Sequence, residues 1–143
     1  MSNASQTIVV IPRGIRNNNP LNIRRGSDWL GLRPTQTDAA FCQFDNIIYG
    51  YRAALVILRR YIREYRCNTI RLIISRWAPA SENNVAAYVR AVTTASGIPA
   101  DQPISFQDES AVCSIVAAMQ QHECGLPLGS AIVAATYRMF FSS

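Results

Sequence analysis

The sequence predicts a mainly α fold, an α+β domain with no more than a minimal β element. Three observations predict it. Apolar residues recur at helical spacing through most of the chain after residue 46, helix-capping residues bracket those segments, and only residues 41–44 read as a short strand. A length of 143 residues suits one compact domain, and an apolar content of 49% supplies side chains for a single core. Residues 1–12 are expected to form a flexible N-terminal segment and residues 13–143 the domain itself.

Element by element, the apolar run Ile8-Val9-Val10-Ile11 gives way to a polar loop over 13–31, dense in Asn, Gly and Arg. Asn17, Asn18, Asn19 and Pro20 do not sit comfortably inside a helix. The first long helix is expected over 46–66, with Ile48, Tyr51, Leu55, Leu58, Ile62 and Tyr65 as its stripe. A second, over 69–77, places Ile70, Ile73, Ile74 and Trp77 on one side and stops at Pro79. Ser81 is the expected N-cap of a third, which buries Val85, Tyr88, Val89 and Val92 and ends at Gly97. Ser105 and Asp108 resemble a capping box that opens a helix running to Gly125, and a short helix over 130–140 closes the chain.

Charge and cysteine usage set coarser bounds. All fourteen basic residues are Arg, and the net charge of +5 favours an anionic partner such as nucleic acid or an acidic polymer of the bacterial envelope. The cations are scattered, so a nucleic-acid interface is not expected. Arg52, Arg59, Arg63 and Arg66 recur at helical spacing and read as one solvated face. Cys42, Cys67, Cys113 and Cys124 lack zinc spacing, so no metal or cofactor is expected, and one or two disulfides would suit an oxidising compartment. No apolar run reaches the length of a membrane span, and no secretory signal peptide is expected at the start.

Glu123 carries the sharpest chemical signal. Val112, Ile115, Val116 and Met119 form a buried stripe, and Glu123 continues it, four residues after Met119. It also falls in the last helical turn, where the macrodipole disfavours an anion. Burial and dipole both favour the neutral acid, which is what a glycosidase requires of its proton donor. The plainer alternative is a residue that ends the helix before the Gly125 cap and turns to water.

The second signal is the loop holding Asn17, Asn18, Asn19 and Asn22, followed by Trp29-Leu30-Gly31. Amides suit the hydroxyl and acetamido groups of a sugar, and a Trp supplies an apolar face for its ring. The alternative is a turn-rich loop that bonds its own backbone. Glu82, expected in the first turn of the third helix, reads as an ionised orienting group, and Tyr88 either packs in the core or lines a cleft. His122, Glu123 and Cys124 are adjacent on one helix and cannot converge on an ion or form a Cys–His pair.

The strings RGIRNNNPLNIRR…WLGL, FCQFDNIIYGYRAALVILRRY and TIRLIISRWAPASENNVAAYV together resemble the lysozyme-like proteins of phages and prophages, virion proteins among them. The likeness covers about residues 13–125 and rests on the motifs RNNNP-x-NIR and RWAP-x-x-EN. A looser likeness extends to bacterial glucosaminidases and lytic transglycosylases, whose catalytic helix ends in Glu-Ser-Gly ahead of an Asn-rich loop. Here the loop comes first and the helix ending Glu123-Cys124-Gly125 comes late, the order that a circular permutation of a lysozyme-like fold gives.

The resemblance implies that Glu123 is the catalytic acid, that Asn18, Asn19 and Asn22 flank a cleft, and that Tyr88-Val89 echoes a Tyr-Val pair lining it. Cys124 departs from the usual Ser, and only Asp45 and Glu82 stand as candidates for a second carboxylate. The implied function is cleavage of peptidoglycan glycan strands by a lytic transglycosylase or muramidase, with virion or secretion-apparatus proteins as further partners. Such a protein is made in the bacterial cytoplasm and acts in the periplasm and cell wall or within a virion. The alternative is an inactive lysozyme-like virion protein with a structural or adaptor role.

Overall fold

The computed structural model describes residues 10–78 and 84–142. Among these residues six helices follow one another: α1 (Arg13–Arg16), α2 (Ile47–Arg63), α3 (Ile70–Trp77), α4 (Val85–Ser96), α5 (Glu109–Cys124) and α6 (Ala131–Phe140). The fold is mainly α, as the periodicity indicates. Where a strand was expected over 41–44, the described residues hold two isolated antiparallel bridges, Arg24 with Phe41 and Leu32 with Phe44.

Helix boundaries follow capping chemistry more closely than periodicity. Asn46 opens α2 by accepting from the Ile48 N–H at 2.9 Å, and Thr69 opens α3 by accepting from Leu72 N at 3.2 Å. Helix α2 stops at Arg63, short of the expected 66, because Arg66 takes a left-handed φ of 56° that leaves the helical register. Tyr65 therefore leaves the stripe and is 46% exposed. Asn84, accepting from Ala87 N at 3.0 Å, caps α4, and the expected cap Ser81 lies outside the described residues. Asp108, not Ser105, caps α5 by accepting from Ala111 N at 3.2 Å, while Ser105 accepts from Gln107 N in the preceding turn. Gly97 and Gly125 both end their helices with left-handed φ, 74° and 71°. The short helix α1 was not anticipated. It occupies the start of the loop expected over 13–31 and ends at Arg16, ahead of the Asn run.

Helix α5 lies at the centre, packed against α4, α6 and α1. Val112, Ile115, Val116 and Met119 are completely buried, and each contributes about 1.5–3 kcal/mol by leaving water. Cys113, Ala118 and Gln120 on its other faces are buried too, so the helix is enclosed on more than one side. Gln120 is the polar member of this core: its Nε2 donates to Leu126 O at 2.8 Å and its Oε1 accepts from Leu128 N at 2.9 Å. Those two bonds fold the chain back after Gly125. Tyr51, Leu55 and Leu58 of α2 are equally buried, and α2 packs on α6 and α3.

The arginines on α2 do more than face water. Arg52, Arg59 and Arg63 lie over the rings of Phe140, Phe141 and Phe106 at 5.5, 5.0 and 5.5 Å, so this row of cations covers the aromatic end of the chain. All four cysteines are free thiols.

Gly50 and Gly97 make opposite predictions. A Cβ on Gly50 would lie 2.1 Å from Asn18 O and 2.7 Å from Pro20 Cδ, whereas one on Gly97 meets nothing within 4 Å but carries a φ of 74°. Gly50→Ala should cost about 3 kcal/mol, against about 1 kcal/mol for Gly97→Ala. Chemical denaturation of the two variants measures the order; a milder effect at Gly50 would refute the close packing of α2 on the loop.

Candidate active site

The site is built on a loop whose shape comes from side-chain amides. Asn18 and Asn22 occupy left-handed backbone, with φ of 51° and 53°, a region that Asn tolerates better than most residues. Asn19 is completely buried and its amide is fully used: Nδ2 donates to Ile23 O and Cys42 O, both at 2.9 Å, and Oδ1 accepts from Ile23 N at 2.9 Å. Asn18 Nδ2 donates to Phe44 O at 3.1 Å. Asn17 Nδ2 donates to Asp38 at 2.9 Å, and its Oδ1 accepts from the buried Gln43 side chain at 3.1 Å. Arg13 adds a two-pronged ion pair to Asp38, its Nε donating at 2.7 Å. The bonds to Arg13, assisted by Asn17 and by the Phe41 and Ala40 N–H groups, hold the Asp38 carboxyl well below the usual carboxylate range.

This loop delivers Asn22 to the end of α5. Asn22 Nδ2 donates to Glu123 Oε1 at 3.1 Å and to the Glu123 backbone carbonyl at 3.3 Å. From the other side the Tyr88 hydroxyl, on α4, donates to Glu123 Oε2 at 2.9 Å. Segments 101 and 35 residues away in sequence thus fix the two carboxylate oxygens. Tyr88 is 2% exposed, and its ring lies on His122 with centroids 3.9 Å apart. Burial, reinforced by the charge of Glu123, pushes the Tyr88 phenol far above its ordinary range. It is a neutral donor at any working pH.

Glu123 is half-buried and lines an open groove of about 360 Å³. One wall comes from the loop, with Asn22, Ile23, Arg24 and Phe41. The other comes from α2 and α3, with Ile57, Tyr61, Trp77 and Ala78. Among the described residues Glu123 is the only carboxylate in the lining, and no cluster of three metal-ligating side chains exists.

Of the residues expected at the site, the structure brings Asn22, Tyr88 and Glu123 together. Asn19 corrects the expectation of a sugar contact: buried and saturated, it holds the loop. Asn18 is spent on backbone carbonyls of residues 44 and 45 and is absent from the groove lining. Trp29 is also elsewhere, in a second hollow with Leu30, Arg52, Val56 and Arg59. Glu82 lies outside the described residues, and α4 starts only at Val85. The aromatic groups that do line the groove, Phe41, Tyr61 and Trp77, were read from sequence only as strand and helix-stripe residues or not singled out. Their signal was the RWAP motif, whose Trp closes α3 beside the groove.

The fold and this site define a mainly helical domain with one half-buried glutamate, oriented by two neutral donors, on the wall of an open groove. No protein-family model matches the chain. Over 112 residues it is 40% identical to Protein P5 of Pseudoalteromonas phage PM2, an alignment that covers 76% of this chain and 70% of that protein. The chain belongs to the family of this phage protein. No helix among the described residues is long and apolar enough to cross a membrane.

Asp38 sets an acid limit on the loop. Its folded value is depressed below the unfolded value of about 3.9, so its contribution is complete above about pH 4 and fades as pH falls through the acid range. Asp38→Asn should therefore be less stable than wild type at pH 7, and the gap should narrow below pH 4. Urea denaturation of both proteins across that range is the check, and a gap independent of pH would contradict the assignment.

Proposed function

We propose that this chain cleaves the glycan strands of peptidoglycan, as a lytic transglycosylase of lysozyme-like, circularly permuted architecture. The observation that carries the reading is the setting of Glu123, half-buried on a groove wall with each carboxylate oxygen held by a neutral donor. Neither partner is a cation, so the group is oriented without an ion pair.

The chemistry requires only this one carboxylate. Glu123 gives its proton to the glycosidic oxygen as the bond from that oxygen to C1 breaks. The resulting carboxylate then takes the proton of the C6 hydroxyl of the same muramyl residue, whose oxygen bonds to C1. A 1,6-anhydro ring forms and the acid is restored. A hydrolase would need a second carboxylate or a positioned water on the opposite face, and the described lining supplies no such carboxylate. Asn22, on the loop wall, orients the acid with its amide N–H. The net charge of +5 favours an acidic wall polymer, and membership of a phage protein family fits delivery of the domain with a virion.

Digestion of purified peptidoglycan, with mass spectrometry of the soluble products, tests the reading. Wild type should release fragments with 1,6-anhydromuramyl ends, and Glu123→Gln should lower the rate by about 10²–10⁴-fold without loss of fold. Reducing ends would make the enzyme a hydrolase. No release by wild type from several wall types would refute cleavage and favour a structural virion role.

Tyr88→Phe keeps the ring on His122 and removes one hydrogen bond to Glu123, a loss of about 1.4 kcal/mol. Its kcat should fall about ten-fold while KM changes little, as steady-state kinetics on the same substrate would show. An unchanged kcat would remove Tyr88 from the orienting role.

A further inference from the structure

We infer that Tyr61 and Trp77 form a sugar-stacking subsite on the helical wall of the groove, one that holds a chain of β-linked N-acetylhexosamine by the apolar face of a ring. This deepens the reading above and rests on it for the identity of the strand.

A β-linked pyranose with equatorial substituents presents C–H groups on its faces and hydroxyl or acetamido groups around its rim. A matching site needs an aromatic surface against the face and polar groups beside the rim. The groove has that division. Tyr61 and Trp77 come from the helices, Arg24 comes from the loop, and Glu123 lies in the same lining. The two aromatic rings meet edge to face, with centroids 6.3 Å apart and planes at 68°, which makes a corner rather than a flat patch. Neither ring is sealed in the core. Both are partly exposed, in contrast to Tyr51 and Phe44, which are completely buried.

The corner is also held in place from behind. The Arg76 guanidinium lies 3.7 Å from the Tyr65 centroid and 5.4 Å from that of Tyr61, and Tyr65 meets Tyr61 edge to face at 6.3 Å. These edge-to-face contacts and the nearby guanidinium limit the rotation of Tyr61, so little side-chain freedom is lost when a ring docks. Trp77 is the last residue of α3 and has its backbone fixed by that helix.

The test separates binding from cleavage. The probe is tri-N-acetylchitotriose, titrated against the full chain carrying Glu123→Gln, with intrinsic tryptophan fluorescence as the readout. Trp29 and Trp77 are the chain's two tryptophans, so adding Trp29→Phe leaves Trp77 as the sole reporter. The fluorescence change should persist in that variant, and Trp77→Leu, followed by calorimetry, should raise Kd at least ten-fold. Trp77→Phe, which keeps a ring, should recover part of the affinity and also guards against a misfolded Leu variant. On peptidoglycan strands, Trp77→Leu in the otherwise native chain should raise KM more than it lowers kcat.

Absence of chitotriose binding, a signal that follows Trp29, or an unchanged Kd in Trp77→Leu would overturn the subsite. If Glu123-dependent cleavage occurs while Kd and KM ignore Trp77, the subsite fails and the enzyme reading stands. If chitotriose binds through Trp77 and no strand is ever cleaved, the subsite stands and the enzyme reading fails.

Discussion

The buried amide of Asn19 is the constraint on which the rest of the site depends. Isolated bridges and backbone bonds hold 13–24 against 41–45, and the buried Asn19 side chain fastens them with two donors and an acceptor, one donor crossing to Cys42 O. An amide can be buried only when its hydrogen-bonding capacity is met, so its surroundings have few other arrangements. Two glycines complete the approach. Gly50 lets α2 lie against Asn18 and Pro20, and Gly14 leaves room where a Cβ would sit 2.7 Å from Asn22 Oδ1 and 3.0 Å from Cys124 Sγ. Loop, α2 and the end of α5 thereby meet at one point, and Glu123 is beside it.

What the sequence disclosed depended on whether a residue's role was local. The α5 stripe and the caps at Gly97 and Gly125 follow from neighbours within a turn or two, and all are where the sequence pattern puts them. The roles of the Asn residues are not local. Asn19 and Asn22 are three positions apart with the same chemistry, yet one is sealed against Cys42 O and the other reaches Glu123 across 101 residues. Only the folded path decides between them. Trp29 and Trp77 pose the same problem: either indole could serve a sugar, and the fold turns Trp77 rather than Trp29 to the groove.

The arginines show a second use of nonlocal contacts. Composition supplies fourteen cations and nine acids, too few acids for every cation to find a partner. The structure places several guanidiniums over rings instead. Arg13 and Arg24 lie at 4.6 and 5.3 Å from the Phe41 centroid, and Arg76 sits on Tyr65. Guanidinium is weakly hydrated and planar, so it stacks where an ammonium would stay in water. An all-Arg basic set therefore lets a cationic surface also cover aromatic groups beside the groove.

Cys124 tests how far the departure from Glu-Ser-Gly matters. A serine after the glutamate offers a hydroxyl donor, and the thiol supplies the same function here: Sγ donates to Pro20 O at 3.4 Å. Burial pushes the thiol up from its ordinary range, with the carboxylate of Glu123 acting in the same direction, so it remains protonated and remains a donor. A thiolate at this position would lose the bond that ties α5 to the loop. The larger sulfur also fits the space that Gly14 leaves open. The thiol thus fastens the end of α5 to the Asn loop.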